Sequence, residues 1–392
     1  MERIQESLGN IHKCDLKENK KGITLVALVI TIVILLILAG ISISALTNTG
    51  LFGKAKEAKE KSENAALEQN KILDNYEKEV DQYLPAFTGK TVKEAIQHGR
   101  ILNVADNTEL HDEKGNKIVV PAGFKVTGDA TTVDKGIVIE DATTGATSGS
   151  QFVWVPVSKD RDDKIKKADG TEFTIILNRY TFADDENGTA TAQDENIVGN
   201  YFSETESKGN TVAKSISKFK SSLFKHGGYY IGRYEARTTV ARENKENSLT
   251  QITERKADYV YNYVTQKQAA EQAQKMYNSS NFTSDLMNSY AWDTATLFLQ
   301  SCGTNPKYSR QNSLNQTLVK TGTTGDMQCN ICDMASNILE WTTETSSRAD
   351  NPCVYRGGNY SWTSDYTSVR VGTGDSFIHA SIGFRPILYI NV

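Results

Sequence analysis

The sequence predicts an α+β chain: an apolar membrane-spanning helix, a second polar helix, then a large domain of short strands, turns and two helices. Three observations carry this. Ile23 to Leu46, ITLVALVITIVILLILAGISISAL, holds no charge in 24 positions, and at ~1.5 Å per residue such a helix crosses a ~30 Å hydrocarbon core. Residues from about 54 to 84 are rich in Ala, Glu and Lys. From about Thr88 onward the pattern shortens to β-branched runs bounded by Gly and Pro. The implied organisation is a leader (1–22), a transmembrane helix (23–46), a stalk (47–85) and a C-terminal domain (86–392).

Composition fits a folded domain attached to one membrane helix. The 392 residues are 38% hydrophobic and 23% charged, with net charge −4 and pI near 5.9. No basic footprint exists for phosphates, so nucleic acid is not an expected partner. Six prolines, 28 glycines and 17 tyrosines point to turns, strands and a tyrosine-rich surface. Cys14 precedes the apolar run, and Cys302, Cys329, Cys332 and Cys353 follow it. In an exported domain these four permit up to two disulfides. The lone CxxC at Cys329 and Cys332 suits half a zinc site, a redox pair or structural thiols.

Taken in order, the first element is the leader, with Arg3, Lys13, Lys17, Lys20 and Lys21 before the span, as the positive-inside rule expects. The apolar run is too long for a cleavable secretory signal. Thr47 to Gly50 breaks the helix, and the next helix runs to Leu84, stopped by Pro85. Ala66, Leu73 and Val80 recur at seven-residue spacing, with Gln69, Tyr76 and Tyr83 offset by three. The segment reads as a solvated stalk or as a helix that packs on a partner. In the domain, KIVVPAGFKV, GIVIE and QFVWVPV read as strands. Residues 158–215 are polar and irregular and read as a surface insertion. Helices are expected at 265–277 and 284–300, and strands and loops at 328–392.

KKGITLVALVITIVILLILAG, with small Gly22 before the apolar run, resembles a type IV prepilin leader. The resemblance implies cleavage between Gly22 and Ile23 by a prepilin peptidase, and association with other pilin-like subunits. Ile23 stands where that family has phenylalanine, and Ala27 where it usually has glutamate. The other reading is a plain single-pass anchor. Both put residues from about 47 onward outside the cell membrane, at the cell surface or on a pilus.

GGYYIGRYEAR (227–237), ICDMASNILEWT (331–342), YRGGNYSW (355–362) and SIGFRPILY (381–389) are similar, in order and spacing, to elements of the formylglycine-generating enzyme, or sulfatase-modifying-factor, family. The resemblance covers about residues 117–392, with 158–215 outside it, and implies a C-type-lectin-like fold. In structural terms, Gly357, Gly358 and Gly383 suit positive φ or close backbone approach. Trp154, Trp341 and Phe384 are expected in the core. Arg356 and Arg385 are expected to be fixed by carboxylates such as Glu340 or Asp333.

The family's oxidase chemistry uses two copper-binding cysteines six and eleven residues after the RGG arginine. Here those positions are Trp362 and Thr367, so that chemistry does not carry over. His12, His98, His111, His226 and His379 are scattered, and no HExxH, GxSxG or phosphate-loop motif is present. TGTTGD (321–326) lacks the lysine and reads as a turn. The sequence leans away from an enzyme. An altered-metal oxidoreductase of the sulfatase-modifying-factor type and a minor pilin-like filament subunit are the alternatives.

Binding is the expected role. NYSWTSDYTSVRVGTGDSFIHASIG (359–383) has paratope composition: rigid aromatics for contact area and small polar residues for adaptable hydrogen bonds. The candidate contacts are Asn359, Tyr360, Trp362, Asp365, Tyr366, Ser368, Arg370, Asp375, Phe377 and His379, against a protein or glycan. Some members of the resembled fold family are variable proteins written by diversity-generating retroelements, with variable positions just before a terminal GFR, and this segment is similarly placed. No cofactor is required; calcium held by loop oxygens is compatible with the implied fold.

Overall fold

A computed structural model describes residues 86–193, 202–204, 213–244, 253, 258–277, 279–362 and 364–392. Before these it describes 54, 56–62, 64–66, 68, 69 and 72. The chain divides into two compact units, 1–82 and 83–392. In the first, the described residues are helical and exposed, and Lys61 pairs with Glu57 at 2.8 Å one turn away. Leu73, Tyr76, Val80 and Tyr83 of the seven-residue pattern lie outside the described residues.

The second unit is built on two sheets. Six antiparallel strands form the first: β1 (Phe124–Thr127), β2 (Val138–Asp141), β3 (Gln151–Pro156), β5 (Gly228–Gly232), β6 (Phe282–Leu286) and β11 (Pro386–Ile390), in spatial order β6-β11-β5-β3-β2-β1. The second sheet runs β4 (Phe202–Ser203), β7 (Leu339–Ser346), β8 (Cys353–Arg356), β9 (Arg370–Thr373), with β10 (Ile382–Phe384) parallel to β7. β3 and β5 are buried on nearly every residue, as the continuous apolar runs FVWVP and YYI require. Trp154, Trp341 and Phe384 are fully buried.

The described part of this unit also holds five two-stranded pairs and four α-helices: α1 (Val92–His98), α2 (Ile216–His226), α3 (Gln266–Lys275) and α4 (Ser289–Cys302). Each helix begins at a side-chain cap that satisfies an otherwise orphaned amide: Thr91, Ser215, Thr265 and Asn288. α2 lays Phe219 against Tyr229 and Tyr389, with ring centroids 5.4 and 5.5 Å apart. α3 is tied to β7 through Gln266 Nε2, which donates to the carbonyls of Thr342 and Glu344.

Arg385 joins the two sheets. Its Nε and Nη2 donate to the Glu340 carboxylate at 2.6–3.1 Å, and Nη1 and Nη2 also donate to the carbonyls of Gly232 and Cys332. A planar fork that spends its donors this way is well satisfied although fully buried.

The α+β class headed by a membrane-spanning, pilin-like helix is corrected to a mostly β protein with few helices. Among the described residues of 83–392, paired strands outweigh the four α-helices. No helix among the described residues is long and apolar enough to cross a membrane. The run at 23–46 and the pair Gly22 and Ile23 lie outside the described residues. The helix expected at 284–300 begins only at Ser289. Ser284 to Leu286 pair with Leu388 to Pro386 as sheet, and Asn288 caps the helix after them. Residues 158–215, read as a polar surface insertion, contribute short strand pairs, the β4 edge of the second sheet and fully buried Arg179.

Candidate functional site: a loop face over a buried ion cluster

Strand alternation builds the site. β8 and β9 are antiparallel neighbours in which Tyr355 faces Val371 and Arg356 faces Arg370. Cross-strand partners share a face, so the Tyr355–Val371 pair lies on one side of the sheet and the two arginines on the other.

The arginine side is a buried ion cluster centred on α4. Asp293 Oδ1 accepts from Arg356 Nη2 at 2.5 Å, and Oδ2 accepts from Arg370 Nη2 at 2.6 Å and from the Tyr180 amide at 3.0 Å. Glu344 on β7 pairs with Arg370 Nε at 2.7 Å, with Arg356 Nη1 at 3.5 Å and with Arg179. Burial alone would raise the Asp293 carboxyl, but Arg356 and Arg370 outweigh it and hold it below the ordinary carboxylate range. Arg356 was expected to pair with Glu340 or Asp333. It uses Asp293 and Glu344 instead, and Glu340 goes to Arg385.

The other side carries the loops. Gly357 has φ +93°, and a Cβ there would lie 2.9 Å from the Met334 carbonyl; a Cβ on Gly358 would collide with the Ala335 carbonyl. The chain can therefore turn tightly off β8 only with glycine at both positions. Asn359, fully buried, then shapes the loop: its Oδ1 accepts from the amides of Ser361 and Trp362, and its Nδ2 donates to Asp365 Oδ2 at 3.1 Å. Trp362 projects outward, 42% exposed.

Beside it lies the β9–β10 loop. The His379 ring is near-parallel to Trp362 (centroids 5.8 Å, 14°) and to Phe377 (6.2 Å, 5°). Centroid separations of this size at small angles mean offset rings rather than a face-to-face pile. His379 Nδ1 accepts from the Ser381 amide at 3.2 Å and lies 2.7 Å from its hydroxyl. That leaves the neutral ring's proton on Nε2. An open groove of about 490 Å3 adjoins Trp362, lined by Tyr355, Ser361, Ser364, Asp365 and Val371. The Asp365 carboxyl is raised, by burial above all.

The structure thus brings Trp362, Asp365, Phe377 and His379 to one face. Tyr366 lies nearby with the Arg310 guanidinium 3.8 Å from its ring centroid. Tyr360 is half-buried, its amide on the Asn337 carbonyl, and Ser368 is half-buried, its amide on the Ser309 carbonyl. Asp375 is exposed at a loop tip. Asn359 serves the loop from inside, and Arg370 belongs to the buried cluster. Sequence reasoning missed Tyr355, Ser361, Ser364 and Val371. Period-2 alternation from Arg356 and Arg370 would have found Tyr355 and Val371.

Among the described residues, no group of three His, Cys, Asp or Glu side chains stands ready to hold a metal. The CxxC is split: Cys332 is buried in the core, while Cys329 is half-buried at the tip of a two-residue turn.

Several carboxyls elsewhere are raised chiefly by burial: Glu204 to about 7, and Asp285 and Asp333 to about 6 each. Their folded-state values exceed the unfolded ones, so the native state binds extra protons between roughly pH 4 and 7. Stability from these groups is greatest at low pH in that window and declines as pH rises through it. Thermal unfolding at pH 5 and pH 8 checks this; the midpoint is expected to be higher at pH 5.

No family model and no curated protein matches the chain. Solved structures similar to it include Treponema denticola variable protein 1, at 12% identity and TM-score 0.35, covering 62% of this chain and 98% of that one. The Major Tropism Determinant I1 variant is similar at 13% identity and TM-score 0.29, covering 79% and 100%. CarF is similar at 14% identity and TM-score 0.31, covering 42% and 87%.

Proposed function

We propose that this protein is a non-catalytic ligand-binding protein whose recognition face is the loop surface at 359–383. The observation that carries the reading is the Trp362–His379–Phe377 ring array beside the open groove, mounted on a strand pair whose reverse side is locked by buried ions. Rigid aromatics over a fixed scaffold offer contact area at low entropic cost. The Asp365 carboxyl and the serines on the groove wall add polar contacts, and His379 Nε2–H adds a donor on the ring array. The ligand is a protein or a glycan, and the test separates them. A glycan array and a displayed-peptide library are probed with wild type and with the Trp362→Ala, Phe377→Ala double variant. Hits on one of the two that vanish in the double variant support the reading and name the ligand class. Hits that survive in the variant, or no hits on either, contradict it.

A further inference from the structure

Two cysteines distant in sequence, Cys302 and Cys329, lie on neighbouring segments. α4 ends at Cys302, and the amide of Gly303 closes the helix on the Leu299 carbonyl at 2.8 Å. The next residue, Thr304, donates its amide and its hydroxyl to Gln328 Oε1, at 2.7 and 3.2 Å. Gln328 directly precedes Cys329, so this contact brings the two cysteine-bearing segments side by side.

The position of Cys329 is fixed independently. Met327–Gln328 and Ile331–Cys332 pair as a hairpin whose turn residues, Cys329 and Asn330, both have positive φ, 44° and 63°. Asn330 Nδ2 donates to the carbonyls of Lys135 and Gly136, and Arg233 donates to its Oδ1. The Cys329 carbonyl packs where a Cβ on Gly136 would sit. On the helix side, Lys167 Nζ donates to the Ser301 carbonyl at 2.6 Å. Both sulfurs feel the same neighbours, Asp134, Lys135 and Lys167, and Cys302 also feels Cys329. Both residues are free and half-buried.

We propose that Cys302 and Cys329 form a disulfide under oxidising conditions, stapling the C-terminal end of α4 to the hairpin. With a low-molecular-weight disulfide such as oxidised glutathione as oxidant, one protein thiolate attacks it and releases one glutathione thiolate. The second protein thiolate attacks the mixed disulfide and releases the other. Each cysteine loses a proton, and the two electrons reduce the oxidant to two thiols. Burial raises both thiols, Cys329 to about 12, and high-pKa thiols are slow attackers and slow leaving groups. The bond forms slowly and persists, as a structural staple does. It closes a loop that carries Tyr308, Asp326 and the groove's neighbour Arg310, and so restricts the unfolded chain.

The full chain is prepared reduced, treated with excess oxidised glutathione, alkylated and mapped without reduction. The expected result is one peptide pair joining Cys302 to Cys329, with a thermal midpoint several degrees above that of the reduced protein. Cys302→Ser should abolish both, while Cys353→Ser should keep both. A Cys329–Cys332 or intermolecular link, or no link at all, would overturn the proposal. So would a linked protein whose midpoint does not rise.

Discussion

Asp293→Asn is expected to destabilise the 83–392 unit by about 3–5 kcal/mol, the usual cost of removing one partner from a buried ion network. Asp293, like Glu344, pairs with both Arg356 and Arg370, but it is the carboxylate carried by α4 and so holds that helix against β8 and β9. Asparagine keeps the shape but loses the charge, leaving buried Glu344 to face three guanidiniums. The sign of the pH effect follows. The folded-state value is depressed, so the stabilisation is complete above the unfolded value and is lost as pH falls through the folded one, below about pH 4. Thermal denaturation is the measurement. At about 2–4 °C per kcal/mol for a domain of this size, a fall of roughly 10 °C is expected. Asp184→Asn, which breaks an exposed pair with Lys307, should leave the midpoint nearly unchanged. Equal effects of the two changes would show that the buried cluster does not hold the scaffold.

The second large effect falls on binding. Trp362→Ala is expected to weaken ligand affinity at least about 30-fold, the range of an aromatic hot spot worth 2 kcal/mol or more. Phe377→Ala should follow in the same direction. The argument is positional. Trp362 is the tryptophan that reaches solvent, whereas Trp154, Trp292 and Trp341 are fully buried. It rests on a loop fixed by Asn359 and touches both the groove and the His379 ring. Neither side chain belongs to the ion cluster, so the midpoint should hardly change. Affinity read by surface plasmon resonance on the ligand class found in the arrays, alongside thermal unfolding, separates lost contact from lost fold.

The legible parts of the sequence were those where local pattern and burial agree. The runs around Trp154 and Tyr230 are apolar on both faces and became central strands. The helix expected at 265–277 formed over Gln266–Lys275, with Thr265 as its cap. The region around 359–383 was legible as a rich surface segment, from its mix of aromatic and small polar residues. Its inner grammar was not. Arg370 and Val371 are neighbours in sequence, but strand pairing with Arg356 and Tyr355 sends one into the ion cluster and the other to the groove. Composition cannot show that register. Arg179 was hidden for a related reason. It sits in a polar, irregular stretch, and only the fold reveals Glu344 waiting for it. The start of α4 was misread because Ser284 to Leu286 suits a helix locally, while its backbone is claimed by β11.

The most direct test of the loop face as the recognition surface uses Trp362 as its own reporter. With the other three tryptophans buried, acrylamide quenching of the native protein reports chiefly on Trp362. Titration of the glycan or peptide obtained from the arrays is expected to protect this fluorescence from quenching. The midpoint of protection should match the affinity measured by surface plasmon resonance. A ligand that saturates the protein while Trp362 stays fully quenchable would place recognition elsewhere on the molecule and contradict the account.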